Sequence, residues 1–191
     1  EYNNSCIAQQ LIDLIRQKGG KTNTELEEGT LHEKYKKAYP RGTPLVCACE
    51  KGLVEDVESM IRGARAAGID VTAMVSGVGT RSNGTSGYTP LMVAAYEEHS
   101  TIIEILLQYN ADTATTDNYG YNALHFAAWT NKTTTTIVQL LLNNMKLEDI
   151  NHKNTYNGNT PLDYCYDNDS SIKQQLIDLI RQKGGKRASE L

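Results

Sequence analysis

The chain has 191 residues, 39% of them apolar, and a formal net charge of −4. That length suits one extended domain, and the acidic balance argues against nucleic acid or an anionic membrane as the main partner. No apolar stretch approaches the ~18 residues that a membrane-spanning helix needs, so membrane insertion is not expected.

The chain opens Glu1-Tyr2-Asn3-Asn4 without a methionine, which fits a piece of a longer protein. Aliphatic spacing predicts a helix from Ile7 to Lys18. Thr22 to Gly42 follows as a spacer. Its capping box, Thr30-Leu31-His32-Glu33, opens a short helix that ends at Ala38, ahead of Pro40. Beyond the spacer, apolar residues recur at helical spacing over 44–51, 54–62, 90–96, 101–108, 123–129, 136–143, 161–166 and 171–182. Ser76 to Gly84 is rich in glycine and serine and reads as a flexible loop.

Three of these helices open on one tripeptide, at Thr43-Pro44-Leu45, Thr89-Pro90-Leu91 and Thr160-Pro161-Leu162, and Asn122-Ala123-Leu124-His125 is a close variant. Proline suits the first helical turn, where its missing N–H costs nothing. The alanine pairs Ala94-Ala95 and Ala127-Ala128 let a neighbouring helix approach closely. An aliphatic run follows each pair, Ile102 to Leu107 after the first and Ile137 to Leu142 after the second, and gives a wide apolar face. Burying each large aliphatic contributes ~1.5–3 kcal/mol, but a lone unit has nothing to bury it against.

A unit of about 33 residues headed by Thr-Pro-Leu-His resembles the ankyrin repeat. The resemblance implies an all-α solenoid of stacked helix-turn-helix pairs with hairpin fingers, and a protein-binding role, not a reaction vessel. It places four units across 43–191 with heads at 43, 89, 122 and 160, makes 22–42 an inter-module spacer, and makes 1–21 the second helix of a preceding, truncated unit. The heads are 46, 33 and 38 residues apart, and the first excess lies between Ile69 and Gly87. A longer period also exists. Gln9 to Lys21 recurs unchanged as Gln174 to Lys186, an offset of 165. Thirteen consecutive identities exceed what a shared repeat pattern requires. They point to a tandem of ~165-residue modules, while an engineered duplication or a chance echo stays open.

Catalytic and metal chemistry finds little support. The histidines His32, His99, His125 and His152 are scattered through turns and connections, apart from His125. That residue holds the motif's histidine position, which the resemblance makes structural, its imidazole bonded to neighbouring backbone. Cys47 and Cys49 fall at small-residue positions of a helix and read as buried free thiols, not as a zinc pair. Unpaired thiols suit a reducing compartment and hence the cytoplasm, while Asn-x-Ser/Thr sequons at Asn3, Asn83, Asn131 and Asn168 leave an extracellular location open. No His-Glu-x-x-His, Gly-x-Ser-x-Gly or phosphate-cradling loop is present. The expectation is a chain with no enzymatic activity, cofactor, metal or small-molecule substrate.

In the family that the repeats resemble, the contact surface lies on hairpin tips and the exposed side of the first helix. Carried over by position, it comprises Thr85, Ser86, Tyr88, Tyr96, Glu97, Asn118, Tyr119, Tyr121, Trp129, Thr130, Tyr156, Asn157, Asn159, Asp167 and Asn168. Six of these fifteen are Tyr or Trp, in a chain that is 7% aromatic. Tyr and Trp are common binding anchors. The protein-binding candidates are therefore Tyr88, Tyr96, Glu97, Asn118, Tyr119, Tyr121, Trp129, Thr130, Tyr156 and Asn159. The partner is either another protein or further copies of the chain, stacked end to end as a filament or giant scaffold.

Overall fold

The computed structural model describes residues 34–38, 40, 42–131 and 133–191. The expected helix from Ile7 to Lys18, the first copy of the duplicated segment and the Thr30–Glu33 box lie outside the described residues. The end of the spacer is helical over 34–38, where Tyr35 is buried and donates from Oη to Asp56 Oδ2 (2.8 Å).

Helices α1 (Pro44–Glu50) and α2 (Val54–Ala66) form the first pair. Helix α3 (Val71–Ser76) and strands β1 (Gly79–Thr80) and β2 (Ser86–Tyr88) follow. Two pairs come next, α4 (Pro90–Tyr96) with α5 (Ser100–Gln108) and α6 (Ala123–Trp129) with α7 (Thr135–Asn144). The short α8 (Leu147–Ile150) precedes the last pair, α9 (Pro161–Asp167) and α10 (Lys173–Gln182), and a 3-10 turn spans Ala188–Glu190. All eight expected helical stretches are present, with ends shifted by at most four residues.

The first helices of the pairs form an inner row, α1–α4–α6–α9, and the second helices an outer row, α2–α5–α7–α10. Small residues make the inner row possible: Ala48, Cys49, Ala94, Ala95, Ala127, Ala128 and Cys165 are all fully covered. Behind them Ile102, Ile103, Leu106, Ile137, Val138, Leu141, Leu176 and Ile180 fill the space between rows. One continuous core runs through the stack. Cys47, Cys49 and Cys165 are buried free thiols, and burial pushes Cys47 up to about 11 and Cys165 to about 12, so the sulfurs stay protonated.

Three of the four heads are tied to the segment that follows their helix pair. The Thr43 N–H donates to the Thr80 carbonyl (2.9 Å) and the Thr80 N–H to Thr43 Oγ1 (2.9 Å). Asn122 Nδ2 donates to the Asp149 carbonyl (2.9 Å), and Thr160 Oγ1 to the Lys186 carbonyl (2.8 Å). The stack is thus stitched by hydrogen bonds along the fingers as well as packed between helices.

The segment expected to be a flexible loop is instead structured. Strand β1 pairs antiparallel with β2, Gly79 opposite Tyr88 and Thr80 opposite Ser86, with a bulge between Gly79 and Thr80. Glycine is required at 79 because a Cβ there would lie 2.7 Å from both Thr43 Oγ1 and Val46 Cγ2. Helix α3 starts at Asp70, whose Oδ1 accepts from the Ala73 N–H (3.1 Å). Neither α3 nor α8 was expected. Both are too short to show a period and are held by the helices around them.

Candidate interaction surface

The finger tips are built by Asx turns. Asp117 Oδ1 accepts from the Tyr119 and Tyr121 N–H groups (both 2.9 Å), and Asn154 Oδ1 accepts from those of Tyr156 and Asn157 (both 2.9 Å). These bonds fix the tip backbone and leave Tyr119 (57% exposed) and Tyr156 (72% exposed) projecting. Their rings meet edge to face, centroids 6.2 Å apart. The Thr155 N–H donates to the Tyr119 carbonyl (2.9 Å), joining the two fingers. Gly120, at φ +79°, passes so close that a Cβ would lie 2.6 Å from the Thr155 nitrogen.

Below the tips lies a ring cluster. Tyr121 stacks on Trp129 (6.1 Å, 28°) and packs on Phe126 (5.9 Å), His125 (5.5 Å) and Tyr164 (5.8 Å). Its hydroxyl lies 3.0 Å from that of Tyr164. Burial, then this hydrogen bond, holds the Tyr121 phenol well above its ordinary pKa, so it stays neutral. Trp129 remains 54% exposed on this base. Phe126 also receives Tyr88 (5.7 Å) and Tyr96 (6.1 Å), so the cluster continues into the second finger, the β1–β2 hairpin ahead of the Thr89 head.

There Arg81 sits over the rings of Tyr88 (5.6 Å) and Tyr96 (5.3 Å). Its Nη2 lies 2.9 Å from Glu50 Oε1 and 2.5 Å from Glu97 Oε1, and the Ser82 N–H donates to Glu50 Oε2 (2.8 Å). Burial alone would raise the Glu50 carboxyl. The hydrogen bonds from Ser82 and the Arg81 cation outweigh that and hold it below the ordinary carboxylate value. Glu50 is thereby the post to which the hairpin is tied.

The sequence-derived candidates are thus distributed unequally. Tyr119, Trp129, Tyr156 and Asn118 are exposed, and Tyr96 is at 39%. Tyr88 is half-buried, Glu97 is engaged by Arg81, and Thr130 Oγ1 donates to Glu98 Oε1 (3.0 Å). Asn159 acts through its carbonyl, which accepts from the Asn154 N–H (3.0 Å) and from Asn154 Nδ2 (3.0 Å). Tyr121 is only 8% exposed and forms the base of the face, not its surface. Three members were not among the candidates: Phe126, Tyr164 and Arg81. Phe126 and Tyr164 stand three residues before the exposed position of their helices, one turn back on the same side, a signal helical spacing carries. Arg81 lay inside the supposed loop.

His125 is structural, bonded to backbone on both sides: Nδ1 accepts from the Asn122 N–H (3.2 Å) while Nε2 faces the Asn159 carbonyl (3.3 Å). Among the described residues no three His, Cys, Asp or Glu side chains converge to hold a metal ion, and no helix is long and apolar enough to cross a membrane.

A family model described as "Ankyrin repeats (3 copies)" matches residues 70–154. Among curated proteins, the Probable palmitoyltransferase AKR2 of Saccharomyces uvarum is 51% identical over 39 residues. That stretch is 20% of this chain and 5% of the yeast protein, so the chain corresponds to a small part of that relative's length. The matched repeats and the stacked helix pairs on both sides of them agree: the chain has the fold of an ankyrin-repeat solenoid, and such repeats support a protein-interaction role in general.

Proposed function

We propose that the chain is a non-catalytic recognition module whose contact face is formed by the tips of the third and fourth fingers and the exposed ends of the inner helices. One observation carries the reading: Tyr119, Trp129 and Tyr156 stay exposed although each rests on a buried, hydrogen-bonded base. Aromatic anchors on a rigid support lose little conformational entropy on binding and are the commonest hot-spot residues. A cytoplasmic location accords with the three buried free thiols. The test is a photo-crosslinking amino acid placed in the full chain at 119, at 156 or at Glu104, which is exposed on the outer helix α5. Protein adducts from 119 and 156 but not from 104 are expected. Adducts confined to 104 contradict the reading.

A second reading has its own observation. Gln174 to Lys186, the exact copy of Gln9 to Lys21, packs as α10 against α7 and α9, and its glycine turn is held by Asn151 at Gly184 and Lys186. A segment that is strictly repeated suits strictly repeated contacts, as in a tandem of 165-residue modules or an end-to-end polymer. In that reading 1–21, 22–42 and 43–191 are a preceding module's tail, a spacer and a module. Sedimentation over a wide concentration range separates the two: a monomer throughout rejects self-assembly.

A further inference from the structure

The second finger contains its own example of how this face holds a cation. Arg81 lies over two tyrosine rings while two carboxylates, of Glu50 and Glu97, take its guanidinium. Further along the inner row the same two ingredients recur without the third. Trp129 occupies in α6 the position that Tyr96 occupies in α4, and half of its indole is open. Asn168 Nδ2 donates to the carbonyls of Ala128 (2.9 Å) and Thr130 (3.0 Å), the residues on either side of Trp129. This clamp holds Asn168, and with it its chain neighbours Asp167 and Asp169, against the backbone that carries Trp129. The Asp169 N–H adds a bond to Asn131 Oδ1 (3.2 Å).

Both aspartates are exposed, and among the described residues neither forms an ion pair and no cation lies over Trp129. Arg187 feels the Asp167 charge, but it is engaged by Asp163 (2.8 Å) and by the Tyr166 ring (4.5 Å). The aromatic surface and the negative charge are therefore in place, and among the described residues no positive group lies between them.

We infer that Trp129, Asp167 and Asp169 receive an arginine side chain from a partner protein segment, its guanidinium lying on the indole and pairing with a carboxylate. The inference rests on the recognition reading above. Arginine is favoured over lysine because a planar guanidinium stacks on a ring and bonds a carboxylate through two N–H groups at once. The chain already uses arginine in this way twice, at Arg81 and Arg187. A net charge of −4 and unpaired aspartates at the site attract a basic segment and repel an acidic one.

The test uses a random-peptide display library panned against the immobilised full chain at low salt. Binding of the enriched peptides is then read by the fluorescence of Trp129, the single tryptophan of the chain. Enriched peptides that share an arginine and shift Trp129 emission are expected. Replacing that arginine by uncharged citrulline, or using the D167N/D169N chain, should weaken binding about tenfold. Added salt should weaken it as well. Peptides that shift Trp129 emission but share no arginine, or that bind D167N/D169N undiminished, overturn the arginine inference and leave the recognition face standing. If no enriched peptide perturbs Trp129, both fall.

Discussion

Asn122–His125 and Thr160–Asp163 stand at equivalent points of consecutive units and solve one problem with opposite chemistry. In each, the first N–H of the head is buried and needs an acceptor. In the third unit the acceptor is a neutral imidazole, His125 Nδ1. In the fourth it is a carboxylate: Asp163 Oδ2 accepts from the Thr160 N–H (3.0 Å) and the Ala188 N–H (2.8 Å), while Oδ1 accepts from Arg187 Nε (2.8 Å). The other two heads widen the contrast. Met92 Sδ accepts from the Thr89 N–H (3.4 Å), and Thr43, with Val46 three residues on, turns its N–H to the Thr80 carbonyl instead. The head therefore requires an acceptor at a place, not a residue type.

Charge is where the two heads part. Burial lowers the His125 pKa to about 4, so the folded ring stays neutral. For Asp163 burial alone would raise the pKa. The bonds from Arg187, Thr160 and Ala188 outweigh it and hold the carboxyl below its ordinary value. The signs follow from linkage. Between about pH 6.5 and 4 the unfolded chain binds a proton at His125 that the folded chain does not, so this stability is complete above 6.5 and is lost toward 4. The Asp163 contribution persists through that window and is lost only as the pH falls below the ordinary carboxylate range and through its lower folded value.

The largest expected effect is that of Asp163→Ala. It strands the buried Thr160 N–H, the half-buried Ala188 N–H and the Arg187 contact, and should cost about 4 kcal/mol in urea unfolding. It should also speed hydrogen exchange at Ala188, whose N–H it bonds directly. A loss under about 1 kcal/mol breaks the idea that a charged head is as essential as a neutral one. The second effect is the acid slope. Stability should fall by roughly 3 kcal/mol between pH 6.5 and 4, and His125→Gln should remove most of that slope. A flat wild-type profile contradicts the neutral-ring account. The smallest effect concerns the cap. Thr89→Ala removes the Oγ1 that accepts from the Met92 N–H (3.2 Å) and should cost about 1 kcal/mol.

Sequence and structure agree where periodicity decides the element and part where distant partners do. The aliphatic runs around Ile102–Leu107 and Ile137–Leu142 are helices because a long apolar face shows itself in spacing. Asn110 follows the end of α5 at φ +59°, the left-handed conformation that Gly or Asn favours there. The hairpin at 79–88 was unreadable because its anchors, Thr43 and Glu50, lie about thirty residues away in sequence. The face was half legible. Repeat position found the exposed Tyr119, Trp129 and Tyr156. It did not separate them from Tyr121, because both kinds of residue occupy the same finger and only the packing of Tyr164 and Phe126 decides which ring is covered.

The central claim is that Trp129 is held for a partner, not for the core. Urea unfolding of Trp129→Ala tests it most directly. Half the indole is already in water, and the covered half rests on Tyr121 and Tyr164. The substitution should therefore cost about 1–2 kcal/mol of stability, with at least 2 kcal/mol lost in partner affinity. A stability loss of about 3–5 kcal/mol, the range for a buried aromatic, with affinity unchanged, would make Trp129 a core residue and contradict the account.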